Sequence, residues 1–481
     1  MDFSVNDILG AVRGTRISGS GETRVTGLSI DSRTTGPGDC FVALRGPNFD
    51  AHAFLGDVVD KGASLLVVER VEFDVPEGLA VIKVEDTMTA LGDMAAYVRS
   101  VSSIPLVAIS GSTGKTTTKE MVASILECSR RVLKTEGNKN NLVGMPLTLL
   151  RLKSNDQMAV VELGISEPHE MARLVEIALP DVALITNIGA GHLESLGSLE
   201  GVAKAKSALF TDSSPGCTRV VNLDDELVRK IYESYARERA HAHSRSQESA
   251  HVTFSLRGPS DVSVPSYEVL EGLAGVDVEY DVRGERLKVR LSSPALCNVM
   301  NGAAAIAAVL PLGASLSEIK EGLERFTPAK GRVGVTHVNG VTVIDDTYNA
   351  NPDSMEEALK TLSFASGRKV AVVGDMLEIG TGAECAHAGV GKRAAELGID
   401  VLVAIGSMAD TVAHGALLAG LDSDSVFNFT DKASATEALG TIVRRGDSVL
   451  VKASRGMGLE SIVEAIGGII ERGRQDTTAC N

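Results

Sequence analysis

Apolar positions along this chain fall in short, closely spaced runs divided by polar turns. Over residues 1–100 the runs are RVTGLSID, CFVALRG, SLLVVE and LAVIKVED, separated by Gly/Pro/Asp turns such as TTGPGD. A helical stretch follows from Thr87 to Val98. This pattern predicts a small mixed α/β N-terminal domain. Over 101–330 the runs LVAIS (106–110), MAVVE (158–162), VALITN (182–187) and TRVVNL (218–223) alternate with helical stretches. Continuous apolar strands alternating with helices predict a parallel sheet covered on both faces. Residues 240–290 alternate apolar and polar instead (HVTFSLRG, SVPSYEVLE, VDVEYDVRG, RLKVRLSS), which predicts an antiparallel extension. Over 331–481 the runs VTVID (341–345), KVAVVGD (369–375), DVLVAIG (400–406) and DSVLVKAS (447–454) predict a second, Rossmann-like doubly wound sheet. There is no internal repeat or heptad, and the tail from Glu471 reads as frayed. The fold class is therefore α/β in three domains. The length of 481 residues agrees, at roughly 150 per domain.

Composition narrows the function. With 63 acidic and 47 basic residues the formal charge is −16, which argues against nucleic acid or an anionic membrane as a partner, because either needs a basic face. Eleven Phe, 6 Tyr and no Trp leave little for a surface of stacked aromatics. The six cysteines, Cys40, Cys128, Cys217, Cys297, Cys385 and Cys480, are scattered without CxxC spacing and read as free thiols. The N-terminus has no basic lead or long apolar run, and the most apolar stretch, Ala303 to Ala314, is interrupted by Pro311. At about 12 residues it falls short of the roughly 20 needed to span a membrane. A cytoplasmic protein without stable membrane association is expected.

The clearest chemistry lies at residues 110–118, Ser-Gly-Ser-Thr-Gly-Lys-Thr-Thr-Thr, between a buried strand and a helix. Such a loop turns backbone N–H groups and a helix N-terminus toward an anion. Gly111, Ser112, Thr113, Gly114, Lys115, Thr116 and Thr117 form a candidate phosphate cradle, making the central domain P-loop ATPase-like. Lys115 is suited to reach the β- and γ-phosphates and Thr116 to bind Mg²⁺. Ile109 stands where the long form of the motif has glycine, so the match is to the short form G-x-x-G-K-T. Glu162 ends the MAVVE strand, where open parallel sheets bind ligands, and is a candidate Mg²⁺ ligand beside Thr116. His192 follows the VALITN strand at the same edge. By spacing alone Lys206 is only a helix lysine.

Together with Asp31-Ser32-Arg33, FVALRGPNFDAHAF, GSTGKTTTKEM, TEGNKNNLVGMPLTLL, HLESLGSLEGVAKAK, IDDTYNANPDSM, GDMLEIG and Ser454-Arg455-Gly456, these pieces resemble the Mur ligase family over nearly the whole chain. The resemblance implies an ADP-forming, ATP-dependent amide ligase that builds the peptide stem of bacterial cell-wall precursors. TEGNKNN with YNANPDSM points, within the family, to addition of D-alanyl-D-alanine to a UDP-N-acetylmuramoyl-tripeptide through an acyl phosphate. It further implies a monomer whose domain 1–100 holds the UDP-sugar, 101–330 ATP and 331–481 the incoming dipeptide.

The resemblance also implies roles for single residues. Ser29, Asp31, Ser32, Arg33 and the 41–52 loop are similar to the segments that hold the uridine end. Asn138, Asn140 and Asn141, with Tyr348, Asn349, Asn351 and Arg455, would meet substrate. Lys115, His192, Lys206 and Arg332 would be catalytic, Arg332 at the ATP phosphates. Thr116, Glu162, His192 and Lys206 would hold metal, with two Mg²⁺ expected and Lys206 carbamylated. Asn298 and Asn301 resemble an Asn-x-x-Asn stretch near adenine, although Cys297 stands where the family usually has His. Asp345 or Asp346 would bind the ribose. Two alternatives stay open: another ligase of the same family, adding a single amino acid such as a diamino acid or of folyl-polyglutamate type, and a nucleotide-dependent binding protein without ligase chemistry.

Overall fold

The structure, a computed structural model, describes residues 3–191, 193–242 and 250–466. His192, Cys480 and the tail from Glu471 lie outside the described residues.

The N-terminal sheet has five strands in the order Gly14–Ser18, Ala80–Val84, Leu65–Val68, Asp39–Val42, Gly27–Ser29. The last four lie parallel to their neighbours, and Gly14–Ser18 pairs antiparallel at one edge. That strand is nearly all exposed, which is why no apolar run announces it. The predicted helix runs Thr87–Val101 and starts where the Asp86 carboxylate accepts the Thr89 N–H at 2.5 Å. Its last turn is fixed to the central domain. Arg99 donates to Ala178 O and Leu179 O and pairs with Asp181 at 2.8 Å.

The central sheet has nine strands, ordered Val132–Lys134, Met158–Glu162, Leu106–Ser110, Val182–Ile185, Thr218–Asn222, His251–Ser255, Val262–Val269, Val276–Val282, Glu285–Leu291. The predicted antiparallel extension begins later than the alternation suggested. His251–Ser255 joins Thr218–Asn222 in parallel, and only the last two pairings are antiparallel. Alternation reports one solvated face, not strand direction. Val276–Val282 buries every second residue against the helix Cys297–Val309 and carries charge on the other face, where Asp277 sits opposite Arg290 and Asp281 opposite Arg286.

The C-terminal sheet has six strands, Gly334–Val338, Val341–Asp345, Ser448–Lys452, Lys369–Gly374, Val401–Ile405, Val426–Phe429. All are parallel except the edge hairpin of the first two. The two edge strands are half-exposed and gave no apolar signal. No helix among the described residues is long and apolar enough to cross a membrane. Cys40, Cys128, Cys217, Cys297 and Cys385 are free thiols.

Candidate active site

The loop 110–115 joins the buried strand Leu106–Ser110 to the helix Lys115–Leu126. Two glycines make the turn: Gly111 has φ 147° and Gly114 φ 78°. A Cβ would come within 1.9 Å of Thr186 Oγ1 at Gly111 and within 2.4 Å of Asn301 Oδ1 at Gly114, so larger residues are barred by space as well as by backbone conformation. The strand-end residue Asn187 clamps the loop. Its Oδ1 accepts the Thr113 N–H at 2.9 Å and its Nδ2 donates to Thr113 O at 3.1 Å. Ser112 is tied to Gly189 by two further bonds. Lys115 curls over the loop and donates to Gly111 O at 2.9 Å and Ser112 O at 3.2 Å. Burial pulls its pKa below the ordinary lysine value.

Glu162 stands beside the loop on the neighbouring strand, 2% exposed. Its Oε2 accepts the Thr116 hydroxyl at 2.8 Å and its Oε1 accepts Asn140 Nδ2 at 2.7 Å. Arg332 reaches across from the C-terminal domain and donates to Thr116 Oγ1 at 3.0 Å. Its guanidinium stacks 4.0 Å from the centre of the Tyr348 ring. A cavity of about 440 Å³ opens here, lined by the phosphate loop, Asn138, Asn140, Asn141, Glu162, Asn298, Asn301, Arg332, Asp346, Tyr348, Asn349 and Asn351. Thus most of the expected site residues, drawn from two domains, share one cleft.

Others stand apart. Lys206 lies in the helix Leu199–Thr211 at 2% exposure and does not line the cleft. Burial, then the charge of Lys115, pushes its pKa well below the ordinary lysine value. Ser29 and Asp31 border a separate cavity of about 670 Å³ between the N-terminal and central domains, which Lys139 joins from the loop that also carries Asn138 and Asn140. Arg33 is exposed and folds back on Asp31 at 2.7 Å, holding that carboxyl down at about 2, and Ser32 lines neither cavity. Asn141 turns its Oδ1 to the N–H groups of Val143 and Gly144, a local turn bond. Asn298 and Asn301 bond each other at 3.1 Å behind Gly114. Arg455 lies outside the cleft lining, with its side chain on Glu460.

The two acids expected at the ribose stand differently. Asp345 does not line the cleft, and its Oδ1 accepts the Thr347 hydroxyl at 2.6 Å. Asp346 does face the cleft, but its Oδ2 is engaged by Lys452 at 2.5 Å. Burial raises the Asp346 pKa, against the pull of Lys452.

Three residues at this site went unread in the sequence. Asn187 clamps the loop, Asp353 accepts the Ala190 N–H across the domain boundary at 3.2 Å, and Lys452 underlies Asp346. Lys452 ends an apolar strand run, the same signal that singled out Glu162.

Among the described residues no group of three or more His, Cys, Asp or Glu side chains is arranged to hold a metal. The buried Glu162 carboxylate and the Thr116 hydroxyl are hard oxygen donors of the kind Mg²⁺ takes, leaving room for water and phosphate oxygens.

Residues 24–99 match the Mur ligase family catalytic domain, 109–309 the Mur ligase middle domain and 331–455 the Mur ligase glutamate ligase domain. The chain belongs to the Mur ligase family. The UDP-N-acetylmuramoyl-tripeptide–D-alanyl-D-alanine ligase of Escherichia coli K12 is 33% identical over 443 residues, covering 91% of this Mur ligase and 93% of that one. A crystal structure of MurF from Acinetobacter baumannii superposes with a TM-score of 0.87 at 33% identity, covering 97% of this chain and 99% of that one. The MurF ligase of Thermotoga maritima, crystallised with ADP, gives 0.81 at 28% identity over 92% and 98%.

Proposed function

We propose that this Mur ligase joins D-alanyl-D-alanine to the free carboxylate of a UDP-N-acetylmuramoyl-tripeptide, converting ATP to ADP and phosphate. The observation that carries this reading is the single cleft with the phosphate loop and Glu162 on one wall and Tyr348, Asn349 and Asn351 on the other. The named relatives support the choice of substrates.

A carboxylate resists attack by an amine, so it is first activated. One of its oxygens attacks the γ-phosphorus and ADP leaves, giving an acyl phosphate. The amine nitrogen then attacks the carbonyl carbon, and the tetrahedral species expels phosphate and loses a proton. Phosphoryl transfer is governed by positioning and charge neutralisation. Lys115 would leave its loop carbonyls for the phosphate oxygens, and Arg332 would add a second cation from the opposite wall. Mg²⁺, held by Thr116 and Glu162, would supply further charge neutralisation. Closure of the C-terminal domain on the loop would exclude water from the acyl phosphate.

The N-terminal domain would hold the nucleotide-sugar and the C-terminal domain the dipeptide. Both ATP and a nucleotide-linked sugar are products of cytoplasmic metabolism, so the enzyme would work there, as a monomer whose cleft one chain completes. Lys206, with its depressed pKa, would offer a neutral amine to CO₂, and the resulting carbamate would provide an oxygen ligand. Intact mass lacking one added CO₂, together with full activity of Lys206→Ala, would remove that part of the proposal.

The test is phosphate release with ATP, a panel of UDP-N-acetylmuramoyl peptides and either D-alanyl-D-alanine or a diamino acid. Release is expected only with tripeptide plus dipeptide. Release with dipeptidyl substrate plus diamino acid would favour the other Mur ligase activity, and ATP binding without any acceptor-dependent release would leave a binding protein.

A further inference from the structure

Lys119 lies about one turn beyond Lys115 in the helix Lys115–Leu126, yet it is fully buried and lines neither cavity. Its ammonium donates to Thr135 O at 2.6 Å and pairs with Glu120 at 2.7 Å. Thr135, also fully buried, directly follows the strand Val132–Lys134. Its hydroxyl oxygen accepts the Glu162 N–H at 3.0 Å, and its own N–H donates to Val160 O at 3.1 Å. Asn140 closes the loop from the other end. Its Nδ2 donates to Glu162 Oε1 at 2.7 Å and its carbonyl accepts the Gly164 N–H at 2.9 Å. Thr116 and Lys119, three positions apart, share a face of the helix. That face holds Glu162 twice, by its side chain through Thr116 and by its backbone through Thr135.

The loop so anchored borders both cavities. Asn138 and Asn140 face the phosphate cleft, while Glu136 and Lys139 face the cavity that holds Ser29 and Asp31. A substrate whose nucleotide end sits near Ser29 and whose carboxylate meets the γ-phosphate must pass along this loop. A buried ammonium is a poor device for stability, since desolvation opposes it, and its retention is better explained by the geometry it specifies.

We propose that Lys119 is a positioning residue for the carboxylate-bearing substrate: it fixes the 135–140 loop that guides this substrate from the sugar-nucleotide cavity to the phosphate loop. The proposal rests on the ligase reading above and gives that reading a residue remote from both cavities. Lys119 serves the donor alone. The phosphate loop keeps its shape through Asn187 and two glycines, and the acceptor wall of Tyr348, Asn349 and Asn351 belongs to the other domain.

The test compares donor with acceptor and nucleotide. In Lys119→Met the Kd of UDP-N-acetylmuramoyl-tripeptide, measured without ATP or metal, is expected to rise about tenfold, as for one or two lost loop hydrogen bonds. Hydroxylamine traps the acyl phosphate as a hydroxamate, and that rate should fall by up to about 10², the scale of an ångström-level misplacement. The Kd of ADP and the KM of D-alanyl-D-alanine should change little. An unchanged tripeptide Kd would overturn the proposal, and so would equal losses for tripeptide, ADP and dipeptide. If Lys119→Met does not fold, Lys119→Gln carries the test, since it keeps a donor but is one bond too short to reach Thr135 O. The same selective loss is then expected, and its absence is equally decisive. Wild-type protein that forms no hydroxamate with tripeptide and ATP would instead sink the ligase reading itself.

Discussion

The Thr116 hydroxyl donates to Glu162 Oε2 across 2.8 Å, tying the first turn of the phosphate-loop helix to the end of the adjacent strand. The carboxylate is nearly enclosed, so its charge acts in a low dielectric, where it is worth more than at the surface. Glu162→Gln keeps the shape but removes the charge, and its one oxygen can accept from only one of Thr116 and Asn140. Its kcat is expected to fall by about 10²–10³, the range for loss of one electrostatic group at a reacting centre. Phosphate release titrated with Mg²⁺ should show a higher half-saturating concentration. Wild-type behaviour in both would take Glu162 out of the metal site.

Lys115→Ala should abolish ATP turnover while the fold survives. The ammonium is held by two carbonyls of its own turn, Gly111 and Ser112. The loop shape also rests on Asn187 and on two glycines, so losing the lysine should not collapse it. Circular dichroism and the thermal midpoint report the fold, and phosphate release reports the chemistry. Turnover at the wild-type rate would refute the assignment.

Much of this site was legible because its signals are local. A strand, a Gly-rich turn and Lys-Thr lie within residues 106–116 of the sequence and stay together in space. Glu162 was legible from its position at a strand end. The relation between Asp346 and Lys452 was not, since 106 positions separate them and only the parallel pairing of Val341–Asp345 with Ser448–Lys452 brings them together. Asp345 and Asp346 look alike in sequence, yet strand alternation sends one toward Thr347 and the other into the cleft. The edge strand Gly14–Ser18 was hidden for a different reason: with little to bury, it carries no apolar pattern.

Acid should loosen the central domain at Glu318. This side chain closes a capping box with Ser315, at 2.7 Å to its N–H, and also accepts from the Ser129 hydroxyl and from Arg130. These bonds hold its pKa down at about 2. A depressed carboxylate contributes its full stability above the unfolded value and loses it as pH falls toward the folded value. The window therefore runs from about 4.5 down to about 2. Glu318→Gln is expected to cost about 1 kcal/mol at pH 7, in the range of a lost helix cap. Thermal midpoints of wild type and variant should differ at pH 7 and draw together as pH falls toward about 2. A gap that stays constant with pH would show that the charge contributes nothing.

Arg332 makes the most direct link between the two walls of the cleft. It is anchored on Tyr348 at 4.0 Å and reaches Thr116 at 3.0 Å, so it can meet phosphate oxygens without moving far. The sugar-nucleotide end of the substrate would lie near Ser29 and Asp31, in the cavity between the other two domains. Removing the guanidinium should therefore leave that affinity nearly intact. Arg332→Ala is expected to lower kcat by about 10² or more, since it removes a cation facing charge that develops in phosphoryl transfer. Arg332→Lys should recover only part of this, because an ammonium keeps the charge but neither the planar fork nor the full stack on Tyr348. Equilibrium binding of the UDP-N-acetylmuramoyl-tripeptide, measured without ATP, should change far less than kcat. The opposite result, weak sugar-nucleotide binding with turnover preserved, would move Arg332 away from the phosphates.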